Sequence, residues 1–176
     1  MGGTVKGEIL LVPVGAVPAE VCDWLMDALP RVFDGICHVA PALPHPTCAW
    51  DARREQYLAD AVLAQVHVSE VTRALAMADL DLYVPDLNFV FGLADRAAGR
   101  AIIALPRLRQ SFYGLPENAA LFRERVVKEA VHELGHTIGL GHCRDRRCVM
   151  AFSNSLADTD YKEREFCERC KTRRVF

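Results

Sequence analysis

Three histidines and one glutamate are spaced so that they could bind and use a metal ion. They lie in the sequence HELGHTIGLGH, which runs from His132 to His142. Residues four apart share one face of an α-helix, so His132 and His136 can direct two imidazoles at one ion. Glu133 follows the first histidine, where its carboxylate can contact a water molecule on the metal rather than the metal itself.

Gly139 and His142 extend this arrangement to a third ligand. A glycine lets the backbone turn sharply through conformations that a Cβ atom would penalise, and the turn would bring His142 back to the other two histidines. Three histidines leave a tetrahedral zinc ion one open position, which is typical of a catalytic rather than a structural site. The extended pattern is far more specific than H-E-x-x-H alone. Histidines that merely lie close together would explain neither Glu133 nor Gly139.

The segment before the histidines has the periodicity of an amphipathic helix. Apolar residues recur mostly at spacings of three or four, at Leu121, Val127, Val131, Leu134 and Ile138. Pro116 and Glu117 are typical of a helix start, where the acidic side chain complements the helix dipole. We therefore predict one helix over residues 118–138 that positions the first two histidines and Glu133.

The C-terminal part contains four cysteines, and a methionine follows the second of them by two residues: Cys143, Cys148, Met150, Cys167 and Cys170. From His132 to Cys170 the chain resembles the archaemetzincins, zinc metalloproteases of the metzincin clan that combine the extended histidine motif with a four-cysteine pattern. The segment LYVPDLNFVFG, residues 82–92, resembles the same family less specifically.

The resemblance implies roles for these residues. Met150 would be the methionine of the Met-turn, packed beneath the three imidazoles as a soft side chain and not as a ligand; an ordinary core methionine is the alternative. The four cysteines would hold a structural zinc ion, because a closed set of thiolates leaves no position for substrate. Two disulfides or a redox-active C-x-x-C are the alternatives. The expected cofactors are two zinc ions per chain, one catalytic at the three histidines and water, and one structural.

Composition and length predict an ordinary globular protein. The chain has 176 residues, of which 51% are hydrophobic and 25% charged, enough for one domain with a core. We predict a single metalloprotease domain over residues 1–176, with a sheet-and-helix part over 1–139 and a small part over 140–176 that the second zinc ion stabilises. The net charge of −2 suggests no nucleic-acid or membrane partner. The first residues do not resemble a signal peptide, so we expect a cytoplasmic location. We also predict a monomer.

Three cysteines lie outside the predicted zinc cluster. An odd total of seven favours metal ligands over disulfides. We interpret Cys22, Cys37 and Cys48 as free buried thiols. The alternative for Cys48 is a thiol that blocks the catalytic metal in a latent form, but no separate pro-segment is present to hold it there. The arginines between the first two clustered cysteines are expected in a solvated loop, with an anionic substrate contact as the alternative.

The order of predicted elements indicates an α+β fold. Strands are predicted over residues 8–14, 36–40, 80–84, 88–93 and 101–105, and helices over 19–33, 52–68, 69–77 and 118–138. A turn over residues 95–99 implies that the last two strands pair antiparallel. The predicted fold is a metzincin-like mixed β-sheet with packed helices, an active-site helix and an irregular C-terminal part. The resemblance implies an edge strand within residues 88–105 that binds substrate as an added antiparallel strand.

These features together predict a zinc-dependent peptidase that acts on a peptide or protein. Zinc lowers the pKa of bound water to about 7, and Glu133 would take a proton as that water attacks a carbonyl carbon. The alternative is a zinc-containing peptide-binding protein with weak or no turnover, although the presence of Glu133 favours the enzyme. The sequence does not separate an endopeptidase from an aminopeptidase, which needs an acidic group near the zinc for the substrate's α-amine.

Overall fold

The computed structural model describes residues 7–68 and 72–173, which contain eight strands and five α-helices. The strands are β1 (Glu8–Val14), β2 (Ile36–Val39), β3 (Trp50–Asp51), β4 (Gln56–Leu58), β5 (Thr72–Ala78), β6 (Leu82–Tyr83), β7 (Gly92–Asp95) and β8 (Arg100–Ala104). The helices are α1 (Ala19–Phe33), α2 (Ala59–Leu63), α3 (Ala119–Thr137), α4 (Leu156–Tyr161) and α5 (Glu168–Lys171).

Five strands form a mixed sheet in the order β2-β1-β5-β8-β7. Neighbours among the first four are parallel, whereas β7 lies at the edge and pairs antiparallel with β8. The predicted antiparallel pair is therefore confirmed, and Gly99 occupies the intervening turn with a φ of +65° that favours a residue without Cβ. The strands β3, β4 and β6 form a second, small sheet.

The large sheet is covered on both faces. Alternate side chains of β5 point to opposite sides, so Leu75 and Met77 belong to one apolar cluster with α1 and α3. Ala74, Ala76 and Ala78 belong to the other cluster, which includes α2. Helix α3 packs against β7, β8 and α1. This places the histidine motif beneath the edge strand.

The helix predicted over residues 52–68 is wrong. The chain forms the short antiparallel pair β3 and β4 there, and only Ala59–Leu63 is helical. Asp51 accepts hydrogen bonds from the backbone amides of Arg53 at 2.9 Å and Arg54 at 3.3 Å, and Glu55 has a φ of +53°. These local side-chain bonds stabilise a turn in place of the first helical turns.

The helix predicted over residues 69–77 is also wrong within the described chain. Residues 69–71 lie outside the described residues, and Thr72–Ala78 forms the central strand β5. Its alanines favour a helix locally. However, β5 pairs with β1 on one side and β8 on the other, and the side chains of residues 74–78 are completely buried. Tertiary pairing therefore overrides the local preference.

The remaining predictions agree with the structure to within a few residues, and the α+β fold class is confirmed. The strand predicted over 88–93 begins later, at Gly92, while Val90 makes only an isolated bridge to Leu82. The C-terminal part, predicted as irregular, contains the short helices α4 and α5. Within the described residues, each helix is too short or too polar to span a membrane.

Candidate metal centres and active site

Helix α3 carries the first two histidines and Glu133. It begins after Asn118, whose side chain accepts a hydrogen bond from the Leu121 amide at 3.0 Å and so caps the helix. It ends at Thr137, close to the predicted end, and Gly139 then adopts a φ of +94°. A side chain would be strained in that conformation, so this glycine permits the turn that leads to His142.

The three histidines converge as predicted, and their ligand nitrogens lie within 4.8 Å of one another. The Nδ1–H group of His132 donates to the Val149 carbonyl and that of His136 donates to the Leu140 carbonyl, each at 2.8 Å. These bonds fix each ring and leave Nε2 unprotonated. The two Nε2 atoms face each other at 3.1 Å. Two facing lone pairs repel unless a cation lies beside them, so the donor set fits a zinc ion.

Burial keeps the imidazoles in the form that binds metal. It lowers the pKa of His132 to about 3, with a further contribution from the Lys162 ammonium. Burial also lowers the pKa values of His136 and His142. Metal ligation requires a neutral imidazole, and the lowered pKa values favour that form of the three rings.

Glu133 lies against the start of the edge strand. An added Cβ on Gly92 would lie 2.5 Å from Glu133 Cγ, so β7 approaches this side chain as closely as a glycine allows. Only 6% of Glu133 is exposed. Burial, and then the nearby Glu129 carboxylate, raise the pKa of Glu133 well above its ordinary value, against the opposing effect of Lys162. A raised pKa gives the carboxylate a stronger tendency to take a proton.

Met150 packs against helix α3. It is completely buried, and a Cβ on Gly135 would overlap its sulfur. The glycine inside the histidine motif therefore lets Met150 contact the helix backbone between His132 and His136.

The four cysteines form a second cluster. Their sulfurs lie within 4.8 Å of one another, and Cys143 Sγ and Cys167 Sγ are 3.8 Å apart, well beyond the length of a disulfide bond. Although burial opposes it, hydrogen bonds from the Asp145 amide and the Arg169 guanidinium lower the pKa of Cys143 to about 7. Four thiols around one point, with one poised to ionise, fit a structural zinc ion better than two disulfides.

A short segment connects the two clusters. The Cys143 amide donates to the Met150 carbonyl at 2.8 Å, and the Val149 amide donates to the Glu165 carbonyl at 3.0 Å. Because the Val149 carbonyl also holds His132, the residue after Cys148 orients a ligand of the histidine cluster. The two sites are therefore mechanically linked through three consecutive residues.

A cleft of about 590 Å³ lies over the histidines and Glu133. The edge strand β7 forms one wall, and Phe152, Ser153 and Asn154 after Met150 contribute to the other. The sequence analysis did not single out Glu129, Ser153 and Lys162, which also line the cleft. The spacing of Glu129 to Glu133 on a helix was visible in the sequence, but Ser153 and Lys162 join the site only through long-range contacts.

The three remaining cysteines differ in exposure. Cys37 is buried and Cys22 is half-buried, whereas Cys48 is exposed, so its predicted burial is wrong. Cys48 Sγ accepts from Gln65 Nε2 at 3.6 Å. It lines a separate surface depression beside Trp50 and not the cleft over the histidines.

Comparisons with known proteins agree with this geometry. The model of peptidase family M54 matches residues 50–174. The archaemetzincin of Methanocaldococcus jannaschii is 41% identical over 163 residues, which cover 93% of this chain and 90% of that relative. The chain belongs to the archaemetzincin family. This membership confirms that the protein is a zinc metallopeptidase, with a catalytic zinc ion at a three-histidine site and a structural zinc ion at a four-cysteine site.

Solved archaemetzincin structures share the fold. The structure from Archaeoglobus fulgidus, in complex with malonate, has a TM-score of 0.83 at 36% identity and covers 94% of this chain and 99% of that one. A zinc-dependent peptidase from Methanocorpusculum labreanum has a TM-score of 0.85 at 29% identity, with 94% and 98% covered. The metzincin-like arrangement predicted from the sequence is thus the arrangement of the archaemetzincins.

Proposed function

We propose that the protein hydrolyses peptide bonds with Glu133 as general base, and with His132, His136 and His142 as the ligands of the catalytic zinc ion. The observation that carries this proposal is the convergence of three neutral imidazoles beside a buried carboxylate at the floor of an open cleft. Cys143, Cys148, Cys167 and Cys170 would hold the structural zinc ion, with Met150 as a packing residue.

The zinc ion and Glu133 have different roles in the proposed hydrolysis. Bound zinc supplies a Lewis acid that lowers the pKa of a coordinated water to about 7 and polarises the substrate carbonyl. Glu133 accepts a proton from the attacking water at its carboxylate, holds it in a buried setting that favours the protonated form, and returns it to the leaving amine. Positioned proton transfer of this kind contributes about 10²–10⁴ to the rate.

The edge strand gives the substrate a direction. Strand β7 runs from Gly92, which lies beside Glu133, to Asp95, and the next residue, Arg96, lies beside Gly139. A peptide added antiparallel to β7 therefore runs from the Arg96 end toward Gly92. Its residues after the scissile bond extend toward Glu129, one helical turn before Glu133.

Among the acidic side chains that line the described part of the cleft, Glu133 is the general base and Glu129 is ion-paired with Lys162 at 2.9 Å. An aminopeptidase needs a free carboxylate for the substrate's α-amine. The pairing of Glu129 therefore favours cleavage within a chain over removal of the first residue. A cytoplasmic location, a monomeric state and the division into parts 1–139 and 140–176 remain our predictions.

A peptide-library digest by the wild type and by Glu133→Ala, with elemental analysis of both, tests the proposal. We expect two zinc ions per chain in each protein and a loss of cleavage of at least about 10²-fold in the variant. Equal cleavage by the variant would remove Glu133 from the mechanism. Two zinc ions without cleavage by the wild type would instead support a peptide-binding protein.

A further inference from the structure

Two buried polar atoms on residues that line the cleft have hydrogen-bonding capacity that no described residue satisfies. They are Nζ of Lys162 and Oγ of Ser153, and both residues line the cleft over the histidines. Buried polar atoms are nearly always hydrogen-bonded, because an unsatisfied buried donor destabilises the protein. Two such atoms that border one cleft therefore point to a ligand that satisfies them.

Lys162 is buried, and the Glu129 carboxylate balances its positive charge. Only 2% of the residue is exposed, and Nζ lies 2.9 Å from Glu129 Oε1, which also accepts from Thr159 Oγ1 at 3.1 Å. The Glu129 carboxylate can occupy only part of the ammonium's donor capacity, and no other described side chain or carbonyl completes it. An ammonium has three N–H groups and no lone pair, so it can donate to a further group from the cleft.

Anchoring of α4 does not account for this arrangement. Lys128, on the same face of α3, donates to the carbonyls of Thr159 at 3.2 Å and Asp160 at 3.0 Å. Arg125 adds two hydrogen bonds of 2.7 Å to the Asp160 carboxylate. Neither Lys128 nor Arg125 lines the cleft. Lys162 differs from both because it borders the cleft and has N–H groups without an acceptor.

The chemistry of the two atoms defines the ligand. An ammonium can only donate, and the Ser153 hydroxyl can donate as well, so the ligand must accept from both. A carboxylate offers two oxygens and forms the stronger, charge-assisted bonds. We propose that Lys162 and Ser153 form a subsite for an aspartate or glutamate side chain on the substrate residue that follows the scissile bond.

The position relative to the scissile bond follows from the direction of the edge strand. A peptide antiparallel to β7 passes Glu133 and then extends toward Glu129, which is the partner of Lys162. The side chain that comes next after the cleaved bond is therefore the one beside this subsite. The inference rests on the proposed function, since it names the substrate preference of the same active site.

The test compares peptides that differ only in the residue after the scissile bond, with Glu, Asp, Gln, Leu or Lys there and the cut position verified by mass spectrometry. For the zinc-loaded wild type we expect kcat/KM to be at least about tenfold higher for Glu or Asp than for Gln, as for a hydrogen bond to a charged group. Lys162→Met and Ser153→Ala should each reduce that ratio. Lys128→Met is the matched control, because it removes a buried lysine outside the cleft, and it should leave the ratio unchanged.

A second readout separates this inference from the proposed function. Fluorescence anisotropy with the Glu133→Ala variant measures binding of the same peptides without turnover, and should show the same order of affinities. If no peptide is cut, the proposed function fails, and the anisotropy still decides about the subsite. Equal affinities for the Glu and Gln peptides, or an equal effect of Lys128→Met and Lys162→Met on the ratio, would overturn it. Ser153→Ala removes only an unpartnered hydroxyl and keeps the test valid if Lys162→Met does not fold.

Discussion

Gly135 lies inside the histidine motif at a point where two effects oppose each other. Replacing a helical glycine by alanine ordinarily stabilises a protein by up to about 1 kcal/mol. Here the added Cβ would overlap the Met150 sulfur and lie 3.2 Å from a carbon of the Phe166 ring. Overpacking of a buried contact costs about 1–3 kcal/mol, so the steric effect should dominate.

We therefore expect Gly135→Ala to lower the free energy of unfolding by about 1–3 kcal/mol, measured by chemical denaturation. Gly141→Ala is the matched control, because an added Cβ there meets no atom within 4 Å, and should be nearly neutral. The double variant Gly135→Ala/Met150→Ala should lose less than the sum of the single variants. Strict additivity would show that the two residues do not contact each other.

The buried carboxylate of Glu133 should lower the free energy of unfolding at neutral pH. Its pKa is raised in the folded protein, so folding is favoured below its ordinary pKa of 4.5, where the group is protonated, and is penalised as the pH rises and the carboxylate ionises. In the metal-free protein, Glu133→Gln should therefore raise the free energy of unfolding at pH 7, where the wild type must bury a charge, and should change it little at pH 4. The exposed Glu165→Gln is the control. A variant as unstable as the wild type at pH 7 would contradict the buried charge.

At the scale of residues, the sequence predicted the metal-binding motif but not the side chains that surround it in the cleft. The spacing of His132, Glu133 and His136 is a property of one helix, so the sequence contains it. Ser153 and Lys162 come to the cleft through the path of the chain after Met150, which no local pattern describes. Only the structure shows that their polar atoms are buried at the cleft.

At the scale of elements, the turn from Cys148 to Met150 links the two metal centres. Its Val149 carbonyl orients His132, and its Met150 carbonyl accepts from Cys143. Such supporting hydrogen bonds to a ligand typically change metal affinity by about 10–100-fold. Loss of the structural zinc ion should therefore weaken the catalytic one.

Cys167→Ser tests this link. We expect the variant to lose the structural zinc ion and to bind the catalytic zinc ion about 10–100-fold more weakly, measured by competition with a chromophoric chelator. Cys48→Ser, which changes an exposed thiol away from both clusters, should match the wild type. An unchanged affinity in Cys167→Ser would show that the two centres are independent.

Helices and strands were predicted well where the spacing of their apolar residues matches the face that the fold buries. Helices α1 and α3 and strand β1 have clear apolar spacing and match the predicted bounds closely. The two wrong helices fall where the structure overrules a local preference. Strand β5 is rich in alanine but pairs with a parallel strand on each side. The segment before α2 contains a turn that the Asp51 side chain stabilises.

At the scale of the molecule, the C-terminal part is anchored by more than zinc. Val149, Met150 and Phe166 belong to the main apolar cluster. Phe166 meets Phe33 of α1 edge-to-face with ring centroids 5.6 Å apart. The small part therefore shares its core with the larger one, and the metal site adds to that packing.

The account rests on three imidazoles from a helix and the turn after it sharing one metal ion with room for water. The most direct test is a crystal structure of the zinc-loaded protein, with anomalous diffraction measured at the zinc edge. We predict a zinc peak about 2.0–2.1 Å from Nε2 of His132 and His136 and from a ring nitrogen of His142, with water as the fourth ligand and Glu133 beside it. An imidazole of His142 turned away from the peak, or a protein side chain as the fourth ligand, would contradict the account.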